Sequence, residues 1–172
     1  MYIKILIMKL KNLIPVLFIF FAAKSVNSQA THHTPVIQNN IILKATGGFE
    51  VDSAYLAFED GTLLPKGNIT SLDKKIYLWI IINKGWKDID GKIKVGASQT
   101  IVSDKGVVIL EEKNLFPDGS DEGSLEDARY ISLNAVITSM IRKIPYFTVK
   151  YTVWDKNGTG KISGSYKFVV KE

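Results

Sequence analysis

From residue 36 onward, short runs of apolar residues are separated by polar clusters rich in Gly, Asp and Asn. The runs predict strands over 36–45, 51–58, 76–83, 92–97, 99–103, 107–111, 129–138, 146–154 and 161–170. Between them stand Asp60-Gly61, Asp90-Gly91, Asp104-Lys105-Gly106 and Asn157-Gly158. All of these tolerate the positive φ that tight hairpins require. Short strands at regular spacing, with no helical period between them, predict an all-β fold: a single antiparallel β-sandwich.

The last hairpin can be tested against itself. With Asn157-Gly158 as a two-residue turn, Val153 faces Ile162, Tyr151 faces Gly164, Val149 faces Tyr166 and Phe147 faces Phe168. The other face pairs Thr152 with Ser163, Lys150 with Ser165 and Thr148 with Lys167. Like meets like along the whole length, and a slip of one residue would destroy the match. The run Ile76-Tyr77-Leu78-Trp79-Ile80-Ile81-Ile82 behaves differently, being apolar at every position. Such a strand is central, or one of its faces lies under another element or a partner. For 129–138, alternation favours a strand over a helix, with one helical turn at 124–127, where Ser124 and Asp127 have capping spacing.

The ending Tyr151-Thr152-Val153-Trp154-Asp155-Lys156-Asn157-Gly158, followed by Gly164-Ser165-Tyr166-Lys167-Phe168-Val169-Val170, resembles the last hairpin of bacterial immunoglobulin-like domains. The resemblance implies an immunoglobulin-like sandwich used for binding, adhesion or spacing.

The first 30 residues have another character. Lys4, Lys9 and Lys11 precede an apolar run over 13–23, and Ser28-Gln29-Ala30 offers small residues for cleavage. This reads as a secretory signal peptide over 1–30, cut after Ala30 or after Ser28, too short to span a bilayer. A flexible tail over 31–35 and a β-sandwich domain over 36–172 follow. The expectation is an exported protein of the periplasm, outer surface or medium, with no transmembrane anchor after cleavage.

That division changes the meaning of the charge. Of 22 basic residues, four lie in the leader, and all 17 acids lie outside it. The remainder carries 18 bases against 17 acids, a net +1, which gives no support to nucleic-acid binding. Cysteine is absent, which excludes disulfides, thiolate metal sites and a thiol nucleophile. The two histidines, His32 and His33, sit in the tail, where a free amine after cleavage at Ala30 would suit Cu²⁺ or Ni²⁺. A Ser-His-Asp triad or a histidine zinc site within the domain is thereby ruled out, and the chain is expected not to be an enzyme.

Candidate binding chemistry is sparse. Asp155 to Tyr166 nearly reproduces a calcium-binding EF-hand loop, but Tyr166 stands where a bidentate Glu belongs, so the segment reads as a turn. A looser calcium site could draw on Asp118, Asp121, Glu122, Glu126 and Asp127, five carboxylates within ten residues. Among aromatics, Trp79 reads as core. Trp86, in the 83–91 loop, and Trp154, beside the last turn, are the candidates for flanking a ligand or partner surface. Two functions fit: a non-catalytic binding or assembly module of the cell envelope, acting through contacts with an envelope or cell-surface protein, or a carbohydrate-binding module for polysaccharide, calcium-stabilised or not.

Overall fold

Where the chain alternates it is extended, and the strands are sorted between two sheets by which residues each can bury. The computed structural model describes residues 34–117, 119–140 and 143–171, so the expected signal peptide over 1–30, His32, His33 and Asp118 lie outside the described residues. The strands are β1 (Val36–Ile37), β2 (Ile42–Thr46), β3 (Glu50–Ala57), β4 (Ile69–Ser71), β5 (Ile76–Lys84), β6 (Ile93–Ser103), β7 (Val108–Glu112), β8 (Glu122–Gly123), β9 (Tyr130–Ala135), β10 (Phe147–Asp155) and β11 (Lys161–Lys171). One sheet runs β1-β3-β5-β9; the larger runs β2-β11-β10-β6-β7, with β4 attached to β11 and β8 to β6. The two sheets pack as a β-sandwich. No helix among the described residues is long and apolar enough to cross a membrane.

The core lies between the sheets. Leu56, Ile76, Leu78, Ile80 and Ile82 of the smaller sheet and Ile93, Ile101, Phe147, Ile162, Tyr166 and Phe168 of the larger are fully buried. Each such aliphatic side chain contributes about 1.5–3 kcal/mol relative to exposure, which is how a domain without disulfides holds together. Gln99, itself buried, donates from Nε2 to the Asn134 carbonyl at 2.8 Å, joining the two sheets, while its Oε1 and the buried Tyr166 hydroxyl have no partner among the described residues.

The last hairpin pairs in the expected register, from Phe147 opposite Phe168 to Trp154 opposite Lys161. Its turn does not follow expectation. Neither Asn157 nor Gly158 has positive φ; the ladder closes with the Asp155 N–H donating to the Gly160 carbonyl, and the loop between is four residues long. The Asp155 carboxylate organises it, accepting the N–H groups of Asn157 (2.9 Å) and, from a distant segment, Lys87 (2.7 Å). Asp90-Gly91 does form a two-residue turn with both φ positive, closed by reciprocal bonds between Ile89 and Lys92.

Three further departures concern the strands. The run 36–45 is two strands in different sheets, because Asn39 and Asn40, both at positive φ, turn the chain from β1 into β2. Residues 92–103 form a single long strand, β6, without a break at Ser98. Finally, the sandwich is not wholly antiparallel: β1 pairs with β3, and β4 with β11, in parallel. Within 129–138 the chain is a strand rather than a helix, but a shorter one, β9 over Tyr130–Ala135, and the single helical turn before it is a 3-10 turn at Asp127–Arg129 instead of 124–127.

The Asn39 turn is tied to a second asparagine. Asn39 Oδ1 accepts the Leu56 N–H at 2.9 Å, and its Nδ2 donates to Asn68 Oδ1 at 3.0 Å. Asn68, buried and at positive φ, donates to the carbonyls of Asn39 and Lys167, both at 2.8 Å. This seam joins β3 of one sheet to β11 of the other at the rim of the core.

Candidate functional site

Two of the three tryptophans, Trp86 and Trp79, occupy places other than their sequence contexts suggest. Trp86 is buried: its ring meets the edge of Phe49 at 4.6 Å between centroids, and its indole N–H donates to the Ala128 carbonyl at 3.0 Å. The 83–91 loop folds inward instead of presenting the indole, so Trp86 is a core residue and not a surface platform. Trp79 is the reverse. β5 buries Ile76, Leu78, Ile80 and Ile82 and turns Tyr77, Trp79 and Ile81 outward, only half-buried. Trp154 is half-buried on the outer face of the larger sheet. Its indole lies on Gly96, its cross-strand neighbour, so closely that any Cβ there would collide with the ring.

The acidic loop does not converge. Asp121 is buried, with its carboxylate on Lys156 Nζ at 2.8 Å and the Gly119 N–H at 3.2 Å. The hydrogen bond from Lys156 holds its pKa below the ordinary carboxylate value. Glu122 pairs with Lys94 at 2.9 Å and Lys92 at 3.2 Å, which lowers its pKa likewise. Asp127 accepts the Ser124 hydroxyl at 2.6 Å while its own N–H donates back to that hydroxyl at 3.1 Å, and the hydroxyl contact lowers its pKa. Glu126 is exposed, and Asp118 lies outside the described residues. Calcium needs six or more oxygens around one point. Here lysines and a capping serine take the carboxylates separately, and among the described residues no three His, Asp or Glu gather. The four carboxylates among the described residues therefore share no centre.

A groove of about 740 Å³ opens between Phe58, Asp60, Ile69, Thr70 and Lys74. Its Asp60 accepts the Thr62 N–H at 2.9 Å, which lowers the pKa of the carboxyl and commits it to the local turn.

The outer face of the smaller sheet is the surface that the alternation of β5 creates. Its three cross-strand rows, read over β3, β5 and β9, are Ser53–Ile81–Tyr130, Tyr55–Trp79–Ser132 and Ala57–Tyr77–Asn134. Val36 of β1, opposite Ser53, extends the first row. No charged residue stands in these rows. Charges appear at the margin, where Arg129 lies 5.9 Å over the Tyr130 ring and Glu59 accepts the Tyr77 hydroxyl at 3.4 Å. Val36 and Tyr130 are more than half exposed. A face with aromatic and aliphatic centre, polar flanks and charged margin has the anatomy of a protein interface, whose centre is depleted of charge and enriched in Tyr and Trp.

No protein-family model matches the sequence, and no curated protein matches it. Among solved structures, the crystal structure of the C-terminal domain of Wzt is similar, with a TM-score of 0.50 and 11% identity over 82% of this chain and 84% of that one. At that identity the likeness extends to the fold alone.

Proposed function

We propose that this chain is an exported, non-catalytic binding module of the cell envelope, and that it meets a protein partner through the outer face of its smaller sheet. One observation carries this: Tyr55, Tyr77, Trp79, Ile81 and Tyr130 stand together on the outer face of the smaller sheet, partly exposed and in paired rows that hold no charged residue. Leaving so much aromatic surface in water is unfavourable, and covering it would release about 25 cal/mol per Å² of apolar area. Trp79, at the centre, is the residue whose loss would be felt most, because binding energy concentrates in central aromatic anchors. The leader over 1–30 supports the export part of the reading.

The test is gentle purification of the tagged protein from its own envelope, as wild type and as Trp79→Ala. A stoichiometric protein partner, lost with Trp79→Ala and kept with Trp154→Ala, is the expected outcome. No partner, or one indifferent to Trp79, would sink the proposal.

A second reading rests on the other sheet. There Trp154 sits at the end of a field of hydroxyls, with Ser98, Thr152 and Ser163 in one row and Thr100 and Ser165 in the next. Hydroxyl groups beside an aromatic ring can hold a sugar by hydrogen bonding and stacking. Polysaccharide retention that depends on Trp154 and not on Trp79 would favour it.

A further inference from the structure

Outside residues 1–30 the charges nearly cancel, 18 bases against 17 acids, yet the outer face of the larger sheet is one-sided. Its cross-strand rows over β10, β11 and β2 run Trp154–Lys161–Thr46, Thr152–Ser163–Lys44, Lys150–Ser165–Ile42 and Thr148–Lys167. One lysine stands in each row, and all four are exposed. β6 extends the same rows with Gly96, Ser98, Thr100 and Val102, and again brings no acid. Acids stand at the margin: Glu111 of β7 opposite Thr100, and Glu122 of β8, which is already paired with Lys92 and Lys94. Lys44 and Lys161 are diagonal neighbours, as are Lys150 and Lys167, a separation of roughly 7–8 Å. None of the four is in an ion pair among the described residues. Lys167 lies 4.4 Å over the Tyr146 ring, a contact that leaves its charge in place.

We infer that this face takes an acidic polysaccharide, one that carries carboxylates along its length; the inference rests on the second reading above and names the class of sugar it would hold. Four cations without counter-charge repel one another, and a polyanion laid across them removes that repulsion. Complementary charge of this kind selects the partner more than it tightens the grip. The cations are all lysines, point charges set apart, where the planar fork of arginine would grip a single phosphate. They suit charges spaced along a chain. The places between them are filled by serine and threonine, which match the hydroxyls of a sugar, and Trp154 offers a ring at one end for a sugar face. A bilayer surface is met differently, by basic residues interleaved with apolar side chains that enter the lipid. Here hydroxyls occupy those places. The aromatic face of the smaller sheet, on the other side of the sandwich, is left free for its protein partner.

The test is biolayer interferometry with the tagged protein purified from its own envelope, against polygalacturonate and against its methyl ester, the same sugar chain without charge. Polygalacturonate is expected to bind at least about tenfold more tightly than the ester, and about tenfold more weakly as NaCl rises from about 50 to about 300 mM. Lys44→Gln with Lys161→Gln, or Lys150→Gln with Lys167→Gln, should each weaken it about three- to tenfold. Lys44→Arg with Lys161→Arg should keep it. Lys66→Gln with Lys74→Gln removes the same charge from exposed positions outside these rows and should change little. Equal or tighter binding of the ester would overturn the inference and leave the sugar reading standing, as would lysine pairs no more sensitive than the Lys66 and Lys74 pair. Failure of both glycans to bind would overturn the two together. Binding to phosphatidylglycerol vesicles and to neither glycan would overturn it by giving the face to a membrane surface.

Discussion

Over β3, β5 and β9 the outward rows hold Tyr, Trp, Ile, Ala, Ser and Asn without a charge; over β6, β10 and β11 they hold mainly Ser, Thr and Lys, with Trp154 at one end and Val102 at the other. Both sheets bury the same kind of aliphatic layer against each other, so stability within the sandwich does not explain the difference. The polar face can hydrogen-bond to solvent as it stands. The aromatic face leaves part of its apolar surface in water, and that surface is what the proposed interface would cover. What separates the two is the outward half of β5, where polar residues would have served stability equally well.

Substitutions can break or sharpen this comparison. The largest effect is expected in the shared layer beneath both faces. Trp86→Ala should cost about 3–5 kcal/mol in denaturant unfolding, because the ring is buried against Phe49 and its N–H is bonded. A cost under ~1 kcal/mol would return Trp86 to the surface. Gly96→Val comes next. It should destabilise by about 1–3 kcal/mol through collision with the Trp154 indole, and the displaced ring should shift in fluorescence. A silent substitution would show that Trp154 does not rest on β6.

Acid acts on a third region, the loop after β7. Asp121 has its pKa lowered by the hydrogen bond from Lys156. Its stabilising contribution is therefore complete above the unfolded carboxylate value of about 4 and disappears as pH falls through the lower folded value. A pH titration of unfolding should show a loss in that acid window that is reduced in Lys156→Met. An identical profile for the two proteins would remove the pair from the account. The smallest effect is expected from Tyr166→Phe. Burial raises the pKa of this phenol and its hydroxyl lacks a partner, so removing it should raise stability by up to about 1 kcal/mol. A loss above that would mean the hydroxyl is bonded.

Much of the fold was legible, and the errors have identifiable causes. The Phe147–Phe168 register could be read because each face of that hairpin is consistent in polarity. Its loop could not, because the Lys87 amide that fixes Asp155 lies 68 positions away. β5 was recognisable as unusual, but a strand apolar at every position does not say which parity faces inward. Packing decides: the aliphatics interdigitate between the sheets, and the bulky Tyr77 and Trp79 are left outside. Reading Trp79 as core and Trp86 as surface followed from local context alone, and tertiary contact reversed both. The two-residue strand β8 and three-residue strand β4 carry too few side chains to leave a pattern. The acidic loop was visible as a cluster of charge, but the cations that divide it sit at Lys92, Lys94 and Lys156, far along the chain.

The seam at Asn68 bears on how the molecule comes apart. Asn68 binds Asn39 and Lys167, 29 and 99 positions away, so it can close only after both sheets have been assembled. We expect this seam to form after the barrier that governs folding speed, outside the transition state. Asn68→Ala should therefore leave the refolding rate nearly unchanged and quicken unfolding. The seam would then act as a latch that sets the lifetime of the folded state.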